Sequence, residues 1–180
     1  MKLVSIFGEN LFAIKYEGEE KDEFARLFEL WQDAEYLEQF FDTHKADLQN
    51  GFWGDINVEG AIFETSDYAE NLEQRLRKLS KQSPNVLLDG LDELFEPLHN
   101  SQIQIITLNK SKAKETWLRI YALRVDTNAY IITGGAIKLT QKMNDRKHTN
   151  RELLKIENCR TFLLEQGIID TDGVIEEIEL

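Results

Sequence analysis

WLRIYALRVDTNAYIITGGAIKLTQKMNDRKHTNRELLKIENCRTFLL, residues 117–164, changes its periodicity twice. From Trp117 to Val125 it alternates, with Leu118, Ile120, Ala122 and Arg124 on one face and Trp117, Arg119, Tyr121 and Leu123 on the other. That period of two is the mark of a strand. Asp126, Thr127 and Asn128 form a turn trio, and Tyr130–Thr133 reads as the returning strand. Gly134 and Gly135 point to a bulge or a close backbone approach at its end. After a lysine-bearing turn the period becomes helical through Leu153, Ile156, Cys159, Arg160 and Leu163. Thr149 and Glu152 have capping-box spacing at its start, and Gly167 is placed to stop it.

Working outward, residues 2–7 and 11–16 read as two short strands around Gly8-Glu9-Asn10. From Glu19 an aromatic stripe (Phe24, Phe28, Trp31, Phe41) at helical spacing predicts a helix of roughly 30 residues, broken near Thr43-His44. A second helix is expected over Tyr68–Lys81, capped by Asp67 or Ser66. Residues 51–64 leave strand and helix both open. Pro84 and Pro97 bracket a short helical segment within 87–95, and Ile103, Ile105 and Thr107 suggest a further strand. The reading is α+β, with N-terminal helices packed on a small, mainly antiparallel sheet closed by a C-terminal helix. Its expected parts are an acidic, mostly helical portion with a hairpin (1–84), a sheet-and-helix module (85–166) and an acidic, weakly patterned tail (167–180).

Charge is distributed unevenly along the chain. Residues 1–100 hold nine Lys and Arg against 22 Asp and Glu, whereas residues 101–160 hold 12 against five. A basic module beside an acidic half implies an anionic partner for the first and masking or solubility for the second. The overall charge of -12 argues against a plain nucleic-acid-coating protein. One cysteine, Cys159, allows no intramolecular disulfide and is expected as a buried thiol in a reducing compartment. No signal-peptide core or run of about 18 apolar residues is present, so the expectation is a cytoplasmic protein with no membrane partner. Phosphate-loop, dinucleotide, metalloprotease and nucleophile-elbow motifs are missing, and no cofactor is called for.

The cations are the chemistry-bearing set. Arg119 and Tyr121 share a strand face, Lys138 and Lys142 follow the next strand, and Arg146, Lys147 and His148 lead into the last helix, which carries Arg151. They can converge at one end of a small sheet if the two strands pair, and Arg124, on the other face of its strand, is a further candidate for binding nucleic acid. Arg is a forked donor for phosphate, Lys a point charge, and Tyr can stack on a base or handle a proton. Cleavage of RNA through the ribose 2′-OH needs such groups and no metal: cations around the phosphorane and groups that take and give a proton. Against this stands a plainer reading, in which Arg119 and Arg124 pair with carboxylates of the acidic half and Tyr121 is a core tyrosine.

The run R-I-Y (119–121), Y-I-I-T-G-G-A-I-K (130–138) and L-T-Q-K (139–142), followed by a helix, resembles the HigB-like branch of the RelE/HigB/ParE toxin superfamily. LDELFEPL (91–98) is similar to what precedes the first central strand of those proteins, and the resemblance covers about residues 87–165. It implies a ribosome-dependent mRNA endoribonuclease with a cognate antitoxin protein as partner. Arg119 would stabilise the scissile phosphate, and Tyr121, Lys138 and Lys142 would line the substrate groove. His148 is the available general base by chemistry alone, while Arg124, Arg146, Lys147 and Arg151 would hold the RNA. The chain departs from the branch where two adjacent lysines are usual, having Lys138-Leu139, and where an aromatic is common, having Ile137. A second expectation is a non-catalytic module of the same fold that engages a protein partner, its basic groove masked by the acidic half.

Overall fold

The structure is a computed structural model describing residues 1–81, 90–98, 108–142 and 145–179. Those residues form an α+β fold with a six-stranded, mostly antiparallel open sheet. The strands are β1 (Lys2–Phe7), β2 (Leu11–Lys15), β3 (Glu96–Pro97), β4 (Asn109–Glu115), β5 (Leu118–Asp126) and β6 (Ala129–Ile137). Their spatial order is β1-β2-β6-β5-β4-β3. The β1–β2 hairpin is as expected, and it joins the C-terminal strands through a parallel pairing of Leu11–Ala13 with Tyr130–Ile132. The strand suggested by Ile103, Ile105 and Thr107 lies outside the described residues, as does the start of the 87–95 segment. Its remainder is the short helix α5 (Leu91–Leu94).

The expected 30-residue helix is instead three helices: α1 (Glu23–Leu30), α2 (Ala34–Thr43) and α3 (Lys45–Leu48). Two aspartates cap the first two helices, and the second of them accounts for the first break. Asp22 accepts from the Ala25 N–H to start α1, and Asp33 accepts from the Glu35 and Tyr36 N–H groups to start α2. The second break falls at His44, where it was anticipated. The following helix, α4 (Val58–Ser80), begins ten residues before the expected Tyr68. Asn57 caps it by accepting from Gly60 at 2.7 Å, so neither Asp67 nor Ser66 has that role.

Strands β5 and β6 pair antiparallel across a turn at Thr127-Asn128, with Asn128 at φ 56°. β6 does not stop at Thr133 but runs through both glycines. Tyr121 faces Gly134 while Ala122 faces Ile132, leaving Thr133 as the extra residue of a bulge. Gly135 permits a close approach, since a Cβ there would lie 2.7 Å from the Arg119 carbonyl oxygen. The last helices are α6 (Lys147–Glu165) and α7 (Thr171–Glu179), the second formed by the tail. Because α6 starts two residues before Thr149, the capping box is not made: Thr149 donates to the Arg146 carbonyl, and Glu152 turns inward and is buried. Gly167, at φ 76°, ends α6 as expected.

Alternation along the strands divides the core into two layers. Leu11, Ala13, Leu118, Ile120, Ala122 and Ile132 pack against α1, α2 and α4. Phe12, Ile14, Tyr121, Leu123 and Ile131 face α6 and α7 through Ile156, Cys159, Leu163 and Val174. Among the described residues no helix is long and apolar enough to cross a membrane.

Candidate functional site: a cationic sheet face

Residues directly opposite one another in an antiparallel sheet point to the same side. Lys112 stands opposite Tyr121, which stands opposite Gly134. One step along, Lys114 stands opposite Arg119 and Arg119 opposite Ala136. Lys138 continues the same alternation just past β6. Three neighbouring strands therefore present Lys112, Lys114, Arg119 and Lys138 on the α6 side of the sheet, with Tyr121 as the floor between them. The acidic helices α1, α2 and α4 pack on the opposite side.

Each member is held in a definite way. Arg119 Nη1 donates to the carbonyls of Thr116 at 2.5 Å and Leu118 at 2.8 Å. The rest of its five-donor fork is left for a ligand. Burial lowers the guanidinium from its ordinary value. Lys138 Nζ donates to the Thr140 carbonyl at 2.8 Å and the Gln141 carbonyl at 2.5 Å. Burial first, then the charges of Arg119 and Lys112, hold this ammonium below the usual lysine range. Lys114 is half exposed and 3.4 Å from Glu96. Among the described residues Lys112 has no ion pair.

Tyr121 is 1% exposed, and its hydroxyl has no hydrogen-bond partner among the described residues. Burial pushes the phenol well above its ordinary value. Beside it lies Glu152, 6% exposed and reaching over Gly134 so closely that a Cβ there would be 1.9 Å from Glu152 Oε2. Burial raises the Glu152 carboxyl, with Lys155 opposing that rise and Glu23 adding to it.

The remaining residues expected in the site are dispersed. Lys142, Lys147 and Arg151 have exposed side chains. His148 Nε2 lies 2.9 Å from the Ile137 carbonyl oxygen, and its ring meets Phe40 and His44 edge-on, at 5.3 and 4.8 Å. Neither Arg119, Tyr121 nor Lys138 is among those partners. Arg146 donates through Nε and Nη2 to the two carboxylate oxygens of Asp47 in α3, and this pair holds Asp47 below the usual aspartate range. Arg124 donates to Asp92 at 2.8 Å, and the same carboxylate accepts from Tyr130 at 2.6 Å. For Arg124 and Arg146 the ion pairing is what the structure records.

Two features escaped the sequence reading. The lysines of β4 did, although K-S-K-A-K over 110–114 alternates long cations with the buried Ser111 and Ala113. A charged cluster did as well. Glu23 of α1 takes both a forked pair of bonds from Arg26 and a 2.7 Å bond from Lys155 of α6. Next to it Tyr16 donates to the Thr133 carbonyl and lies 3.0 Å from Cys159 Sγ, whose thiol burial pushes up to about 11. This cluster ties the two helical layers together, and sequence positions 23 and 155 carry no local sign of it. Among the described residues, no group of three or more His, Cys, Asp or Glu is disposed to hold a metal ion. No protein-family model, curated protein or solved structure matches the chain.

Proposed function

We propose that this protein is a toxin-type endoribonuclease that acts on ribosome-bound mRNA and is restrained by a cognate antitoxin protein. The observation that carries the reading is the set of Lys112, Lys114, Arg119 and Lys138 on one face of three consecutive strands, on the side away from α1, α2 and α4. An anionic backbone laid across β4–β6 meets a forked donor and three ammonium groups within one patch. The resemblance of residues 87–165 to the HigB-like branch adds the reaction type.

In this reading the ribose 2′-oxygen attacks the adjacent phosphorus as its proton passes to solvent water, the O2′–P bond forms and the P–O5′ bond breaks. The free part of the Arg119 fork and the Lys112 ammonium stabilise the charge that builds on the phosphorane. Lys138 uses two of its three hydrogens on carbonyls and has one left to give to the departing 5′ oxygen. Its lowered value makes that transfer easier. Tyr121, with its hydroxyl buried, serves as the floor that sets the height of its neighbours.

The burial of Tyr121 also favours a second reading, a non-catalytic RNA- or protein-binding module with the same face. Induced expression in a bacterial host separates the two. With wild-type protein, growth arrest and new mRNA 5′ ends are expected, and Arg119→Ala/Lys138→Ala should reduce cleavage about 100-fold or more while folding normally. Normal growth with soluble wild-type protein and intact mRNA would leave the binding module as the better account.

A further inference from the structure

Next to the lysine-bearing turn is a feature that the cations do not explain. The loop at 50–53 crosses from the acidic half to the turn at 139–141, and Trp53 fixes it there by donating its indole N–H to the Leu139 carbonyl at 2.9 Å. Trp53 also packs edge-on against Trp117 at 5.4 Å, so the anchor reaches the core. Asn50 Oδ1 accepts from the Phe52 N–H at 2.9 Å, shaping the loop just before the ring. The result holds Phe52 outward, 60% exposed, with Trp53 edge-on to it at 4.8 Å.

The ring borders an open depression of about 590 Å³ whose other walls include Asn50, Thr140, Gln141 and the Asp47–Arg146 pair. Its polar groups are amides, a hydroxyl and two carboxylates, Asp47 bonded to Arg146 and Asp145 accepting from the Lys142 N–H. Such a lining is poor for a phosphate and good for a neutral heterocycle with donor and acceptor edges. A flat apolar ring at its mouth supplies the stacking partner. Lys138 folds back onto the same segment through the Thr140 and Gln141 carbonyls, so one member of the cationic face is bonded to the turn that walls the depression.

We infer that the Phe52 depression is a nucleobase subsite, in which one unstacked base of a single-stranded RNA stacks on Phe52 and is read by Gln141 and Thr140. This rests on the proposed RNA-directed function and gives the acidic half a part in the site. The RNA backbone would cross Lys112, Arg119 and Lys138, while one base turns aside toward Phe52.

The test is fluorescence anisotropy with the full-length protein and eight-residue 2′-O-methyl oligoribonucleotides of A, C, G or U, which lack the attacking hydroxyl. An abasic oligomer serves as the backbone-only probe. Wild type should prefer at least one base over the abasic probe by about 10-fold, the size of one base–aromatic stack. Phe52→Ala should remove that preference and leave abasic binding unchanged, Phe52→Trp should keep it, and Gln141→Ala should flatten the discrimination among bases. Since Phe52 is mostly exposed, the melting temperature of the alanine variant should match wild type. Equal binding of based and abasic probes by wild type, or an unchanged preference in Phe52→Ala, would overturn the subsite alone. No binding of any probe by wild type would overturn the subsite and the RNA-directed function together.

Discussion

The two faces of the central sheet are built from the same strands and solve different problems. On one, Leu118, Ile120 and Ala122 of β5 meet α1, α2 and α4 through a continuous apolar layer that includes Trp31, Phe41, Leu72 and Trp117. On the other, the same strand offers Arg119 and Tyr121, and the neighbouring strands add Lys112, Lys114 and Lys138. Alternate residues of β5 thus pack toward α1, α2 and α4, and those between combine the charge of Arg119 with the buried Tyr121, Leu123 and Val125. The uneven charge of the sequence therefore becomes a difference between layers. The acidic helices α1, α2 and α4 stand behind the sheet, and the cations stand in front, on the side that also carries α6 and the acidic α7. Their own apolar faces dock the helices to the sheet, and charge neutralisation enters only at particular bridges such as Asp47–Arg146 and Glu23–Lys155.

This contrast can be broken most severely from the helical side. Trp117 is 1% exposed, packs edge-on against Phe41, Trp53 and Tyr68, and donates to Thr65 Oγ1 at 3.0 Å. Trp117→Ala should cost about 3–5 kcal/mol in urea denaturation. A smaller loss follows from closing the gap between the layers. In Gly135→Ala the new Cβ would lie 2.7 Å from the Arg119 carbonyl oxygen and 2.8 Å from Leu27, and backbone cannot easily yield. A cost of about 1–3 kcal/mol is expected from the same measurement.

Titration should distinguish the layers by sign. Asp47 is held below the usual aspartate range by hydrogen bonds from Arg146, so its contribution is present at neutral pH and lost as pH falls through its lowered value. Glu152 is raised by burial, so the folded state favours its protonated form. Stability should therefore decline as pH climbs from the ordinary glutamate value through the raised one. Denaturation between pH 2 and pH 7 should give opposite pH-dependent differences from wild type for Asp47→Asn and Glu152→Gln. Differences of the same sign would contradict the assigned environments.

Much of the architecture was legible because it is written in local periodicity. The β1–β2 hairpin, the β5–β6 pairing, the aromatic stripe and the glycine stop at Gly167 each have a short-range cause. What escaped depends on distant partners. β4 has the sequence NKSKAKE, with only alanine as an apolar residue, and becomes a strand through its ladder with β5. Half of the cationic face was invisible for that reason. The break at Asp33 was missed since the hydrophobic stripe runs across it, while the cap acts through two backbone N–H groups. His148 and Arg146 were grouped with the site by sequence proximity, and the fold engages them with Phe40, His44 and Asp47 instead.

The most direct measurement of the division between the faces is the salt dependence of binding to a single-stranded 2′-O-methyl oligoribonucleotide. It compares wild type, Lys112→Ala/Lys114→Ala on the cationic face, and Lys78→Ala/Lys81→Ala at the end of α4. Each phosphate contact on a single strand contributes about 0.7 to the slope of log affinity against log salt. The face variant should lose about 1.4 from that slope, by the same rule, and the α4 variant should match wild type. Equal losses in both variants, or none in the face variant, would contradict the assignment of RNA to the face that carries Arg119.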